Sequence, residues 1–92
     1  MAAPALPAVS FALECRQQHQ NWRNCRFESE QPGASWQLAF EDQTVRFRHD
    51  GNGRMRMQLN ANSPWTSVEP RWVAEQTLCW NEICARGEIP LD

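Results

Sequence analysis

Apolar and polar positions alternate most clearly between residues 36 and 59. Trp36, Leu38 and Phe40 share one parity, as do Val45, Phe47 and His49, and then Met55, Met57 and Leu59. A period of two puts each set on one face of a strand. The pattern predicts three consecutive antiparallel strands. A two-residue loop at Asp42-Gln43 would pair Phe40 with Val45, Leu38 with Phe47 and Trp36 with His49. At "DGNG" a two-residue loop would mix the faces, because it sets Arg54 opposite His49. A three-residue loop, Gly51-Asn52-Gly53, instead pairs His49 with Met55, Phe47 with Met57 and Val45 with Leu59. Gly53 then takes the left-handed position that this hairpin type requires.

The flanks are less legible. In residues 9–16, Val9, Phe11, Leu13 and Cys15 point one way by strand period. A short N-terminal helix from about Ser10 to Trp22 competes, since Cys15, His19 and Trp22 also share a helical face. Residues 22–28 read as a second strand, and Pro32-Gly33 marks a turn. After a turn-rich break at 60–64, short strands are predicted at 65–68, 71–75, 77–80 and 83–86. Pro70 has no N–H to give a central strand, so it separates two of them. The join at 75–77 allows Val73 opposite Leu78 or Trp72 opposite Trp80.

These elements describe a mostly β domain over residues 9–92, behind a lead at 1–8. The expected architecture is an antiparallel meander of six to nine short strands. It curls into a barrel-like or two-layer arrangement, in the style of small lipocalin-like or sandwich domains. No motif identifies a family. At 92 residues the core is marginal, so covalent staples matter.

Four cysteines supply them. If Asn81-Glu82 is a two-residue turn, Cys79 faces Cys84 at a non-hydrogen-bonded pair, where Cα atoms lie about 4.5 Å apart. That is within disulfide reach. Cys15 and Cys25 then form the second bond. Zinc ligation would favour tighter knuckles than these spacings, and no C-x-x-C is present. An even cysteine count in a short chain points to an oxidising compartment, periplasmic or extracellular. The opening "MAAPALPAVS" has the Ala/Pro-rich look of the start of a mature exported protein, and Pro4 and Pro7 interrupt any apolar run. No transmembrane segment is expected.

Charge narrows the chemistry. A net charge of -2 gives no global pull towards nucleic acid, and none is expected as a partner. All nine basic residues are arginine, and without lysine there is no Schiff-base chemistry. Arg46, Arg48, Arg54 and Arg56 occupy the polar parity of the central strands. The hairpin register sets Arg48 opposite Arg56, a destabilising like-charge pair. Something must offset it: a local carboxylate or a bound anionic partner. The segment "SPWTSVEPRW" presents Trp65 and Trp72 as a second candidate docking patch, while most tryptophans are expected in the core. His19 and His49 are the only histidines. His49 ends an apolar row, and His19 lies in a Gln/Asn-rich loop. No nucleophile motif, metal motif or carboxylate pair accompanies them, so neither an enzyme nor a cofactor or metal is expected. The expectation is a bacterial protein-binding module of the envelope or secretome: an inhibitor, an immunity protein or an assembly subunit. The alternative is a small barrel carrying an apolar ligand.

Overall fold

The computed structural model describes residues 9–31, 34–50 and 53–89. Nine strands follow one another: β1 (Val9–Gln17), β2 (Arg23–Gln31), β3 (Ser35–Ala39), β4 (Thr44–His49), β5 (Met55–Gln58), β6 (Thr66–Val68), β7 (Pro70–Ala74), β8 (Thr77–Trp80) and β9 (Ile83–Arg86). They form one antiparallel sheet in the order β6-β5-β4-β3-β2-β1-β9-β8-β7. The pairing of β9 with β1 carries the sheet back on itself, which makes a nearly closed barrel rather than two layers. The open seam lies between β6 and β7, joined through Glu69.

The strand reading of residues 9–16 holds, and the competing N-terminal helix does not form. Residues 9–17 are strand, paired with β2 from Val9↔Ser29 to Cys15↔Arg23. The alternation of Leu13 and Cys15 into the core outweighs the helical spacing of Cys15, His19 and Trp22; His19 sits in the exposed turn after β1. Phe11 shares their parity yet is 43% exposed, because β9 covers β1 only from Glu14 to Gln17. The lead at 1–8, the Pro32-Gly33 turn and Gly51-Asn52 lie outside the described residues.

The β4–β5 register is as the hairpin argument required: His49↔Met55, Arg48↔Arg56 and Phe47↔Met57, with Gly53 at φ +80°. The β3–β4 register differs from expectation by two residues. Trp36 faces Phe47 and Leu38 faces Val45. The loop therefore spans Phe40 to Gln43, closed by the Phe40 N–H donating to the Gln43 carbonyl at 2.8 Å. A two-residue slip keeps every side chain on its face, so alternation alone cannot detect it. Contacts from β2 select the longer loop. Arg23 pairs with Asp42 at 2.9 Å, and its guanidinium lies 4.7 Å over the Phe40 ring.

Neither register expected for residues 71–80 is observed. Trp72 faces Leu78 and Pro70 faces Trp80, with an irregularity between Trp72 and Ala74. The extra residue is Val73. Pro70 opens an edge strand, where its missing N–H costs nothing. At the other end of the barrel, Gly87 (φ +129°) passes so close to β1 that an added Cβ would lie 2.8 Å from Leu13 Cδ2.

Aromatic stacking fills the interior. Trp36 lies between Phe27 and Phe47, with ring centroids at 6.3 and 5.6 Å. Trp80 closes the cluster at 4.6 Å from Phe47 and 6.4 Å from Trp36. Leu38, Val45, Met57 and Ile83 surround it, all fully buried. Both disulfides form as the spacing predicts, Cys15–Cys25 and Cys79–Cys84. The first is buried in the core. The second sits on the opposite face of β8 from Leu78 and Trp80, between Arg16 and Arg71 on the neighbouring strands. Two such bonds fit an oxidising environment. Among the described residues, no helix is long and apolar enough to cross a membrane.

Candidate functional site

Because the core parity of β3 and β4 faces inward, their other parity makes an outer surface. Register assigns it row by row. Glu28, Gln37, Arg46 and Gln58 form one row across β2 to β5. Ser35, Arg48, Arg56 and Ser67 form the next, across β3 to β6. The like-charge pair Arg48↔Arg56 is therefore real, and both residues are exposed.

What faces Arg48 is an indole. Trp65 precedes β6 and is half-buried, with the Arg48 guanidinium 4.7 Å over its ring. A cation over an indole face is attracted to the ring itself, and among the described residues no ion pair engages Arg48. Among the described residues, the ion pairs join Arg23 to Asp42 and Arg86 to Glu14, and neither involves Arg46, Arg48, Arg54 or Arg56. Trp65 thus offsets part of the repulsion without neutralising any charge.

Beside Trp65 the surface dips into an open hollow of about 310 Å³. Arg46, Arg48 and Trp65 line one side; Glu28, Glu30 and Gln37 line the other. The β-bulge in β2 between Glu28 and Gln31 shapes that second wall. It is pinned by Ser29, whose buried hydroxyl donates to the Ser35 carbonyl at 2.6 Å. Gln37 Nε2 donates to Glu28 Oε1 at 2.9 Å, which fixes the carboxylate at the rim.

The six residues singled out from the sequence do not form one site. Arg46, Arg48, Arg56 and Trp65 converge. Arg54 lies just before β5, at a separate hollow lined by Met55, Ser67 and Glu69, where its backbone N–H donates to Asp50 Oδ1. Trp72 stands on the edge strand β7, 46% exposed, on the far side of the seam. Glu28 and Gln37 were missed. Gln37 alternates with Trp36 and Leu38 and so shares the arginines' face; that signal was present. Glu28 reaches the site through β2–β3 pairing, which no local pattern reveals.

Arginine also covers tryptophan elsewhere. Arg16 and Arg86 lie 4.7 and 4.2 Å over the Trp22 ring, and Arg86 is held by Glu14 at 3.1 Å. There a carboxylate completes the group, which the Arg48 site lacks among the described residues. His49 is half-buried at the end of β4, and its N–H donates to the Ala34 carbonyl at 2.8 Å. No group of three or more His, Cys, Asp or Glu among the described residues is placed to hold a metal ion.

The uncompensated pair has a measurable consequence. Arg56→Glu puts a carboxylate directly opposite Arg48. It should raise folding stability by up to about 1 kcal/mol, the scale of a cross-strand charge pair. Urea titration of the oxidised proteins checks this. A loss of stability would mean that the two arginines are already satisfied.

No protein-family model matches the chain, and neither does any curated protein or solved structure.

Proposed function

We propose that this domain is a protein-binding module of an oxidising compartment, periplasmic or extracellular, which docks an acidic partner through Arg46, Arg48, Arg56 and Trp65. One observation carries the reading: two exposed arginines stand opposite each other, with an indole against Arg48 and, among the described residues, no ion-paired carboxylate on either. A surface kept at that cost is best understood as kept for a partner that supplies the negative charge. Arginine and tryptophan are also the residues that most often dominate interface energy. The roles that fit are an inhibitor, an immunity protein or an envelope assembly subunit. A carrier of an apolar ligand would have to seat it among rings that already stack on one another, so the docking reading has the better support.

The test uses charge reversal. Arg48→Glu with Arg56→Glu should weaken partner binding at least about 100-fold, since charged hot-spot contacts contribute ~2 kcal/mol or more each. The fold should remain intact. A photo-crosslinker at the neighbouring exposed position Ser67 reads the outcome in the envelope or secreted fraction of the source cells. The expected result is a cross-linked segment that carries a carboxylate and disappears in the double variant. Equal cross-linking by both proteins would remove this face from consideration.

A further inference from the structure

We infer that the hollow beside Trp65 selects a mixed-charge segment of the protein partner, not a uniformly acidic one. One carboxylate of that segment meets Arg46 and Arg48, and a cationic or N–H donor group meets Glu28 and Glu30. This rests on the docking reading above and names the chemistry of its partner.

The two walls carry opposite charge and are held apart. Glu28, Gln37 and Arg46 are successive cross-strand neighbours. Two strand spacings place the Glu28 and Arg46 backbones roughly 10 Å from one another. Gln37 stands between them and spends its amide on Glu28. The two charges therefore do not collapse into an ion pair; among the described residues neither takes part in one. Glu28 accepts from Gln37 through Oε1 and keeps acceptor capacity on its other oxygen. Arg48 lies over the Trp65 ring and is engaged by no ion pair among the described residues, so its N–H donors can meet a carboxylate.

A hollow of about 310 Å³ is at the small end of ligand sites and has room for a few side chains. A phosphate-rich or all-acidic ligand would satisfy the arginines but would press further negative charge on Glu28 and Glu30. Like charge placed in that way is a device for rejecting partners. A ligand with both signs gains on both walls.

Two capped peptides of equal length separate these cases, one Glu-Ser-Lys-Ser and one Glu-Ser-Glu-Ser. Binding to the oxidised, ¹⁵N-labelled chain is read from the Trp65 indole N–H resonance. The mixed peptide should bind about fivefold tighter, since a surface charge pair contributes up to about 1 kcal/mol. Glu28→Gln, and separately Glu30→Gln, should erase or invert that preference while leaving the Arg-dependent part intact. Glu30 is exposed, so its variant does not rest on the Gln37 bond. Equal affinity for both peptides, unchanged in both glutamine variants, would overturn the mixed-charge selection. The docking reading would survive that result if Arg48→Glu with Arg56→Glu still abolished binding. Binding of neither peptide to the wild-type chain would count against both.

Discussion

Trp80→Ala is expected to lower folding stability by about 3–5 kcal/mol, the range for emptying a large aromatic site in a packed core. The reason is position. Trp80 is fully buried on β8 and touches both arms of the barrel: Ile83 beside it on β9, and Phe47 and Trp36 across the interior. Deleting the indole removes the one ring that joins β7–β9 to the β3–β4 aromatics. For a chain of this size, each kcal/mol is worth roughly 4–8 °C in Tm, so the melt should fall by at least about 12 °C. Trp80→Phe is the informative control. It keeps a ring and removes an indole N–H that is buried without an acceptor among the described residues. Leaving such a donor unpaired costs about 1–3 kcal/mol, which offsets part of the lost volume. The phenylalanine variant should therefore lose less than half of what alanine loses. Equal losses in calorimetry would mean that the indole N–H, not the ring, is what the site depends on.

The second large effect belongs to Cys15–Cys25. Replacing both cysteines with alanine should cost about 3 kcal/mol, against about 2 for Cys79–Cys84, because the chain-entropy gain grows with loop length. The order is reinforced by location. Cys15–Cys25 ties β1 to β2 inside the core, whereas Cys79–Cys84 lies outside a hairpin already registered by Leu78↔Ala85 and Trp80↔Ile83. Small domains hold only about 5–15 kcal/mol in total. Losing both bonds would bring this chain close to unfolding, so its stability depends on an oxidising environment. Thermal melts of the two double-alanine variants check the ranking; a larger loss for Cys79–Cys84 would contradict it.

The fold was legible where local chemistry and alternation agreed. In β4 and β5 the parity of Val45, Phe47, Met55 and Met57 met a loop with Gly53, and one register survived. The Cys79↔Cys84 pairing followed from the same reasoning at Asn81-Glu82, where Asn81 takes φ +55°. Between β3 and β4 the parity was right and the loop was not. The deciding contacts, Arg23 with Asp42 and Phe40, come from β2 and leave no local trace. In β7 the bulge at Val73 broke the period on which both candidate registers relied.

The site divides in the same way. Arg46, Arg48 and Arg56 could be placed together because they alternate with core residues on paired strands. Trp65 was singled out for its Pro-bounded segment, but its seat over Arg48 depends on β6 returning alongside β5. Arg54 shares the parity of Arg56, yet β5 begins only at Met55, and Arg54 closes the hairpin through backbone bonds to Asp50. Glu28 needed the β2–β3 register, bulge included.

Five tryptophans give five indole reporters, and they allow one experiment to ask which surface binds. The oxidised, ¹⁵N-labelled chain would be titrated with the capped Glu-Ser-Lys-Ser peptide at low salt while the indole N–H resonances are followed. The expected result is movement of the Trp65 resonance, with Trp72 and the buried Trp36 and Trp80 unchanged. That movement should fade as salt is raised and vanish in Arg48→Glu with Arg56→Glu. Movement of Trp72 instead, or a Trp65 response that survives charge reversal, would contradict docking at the arginine face.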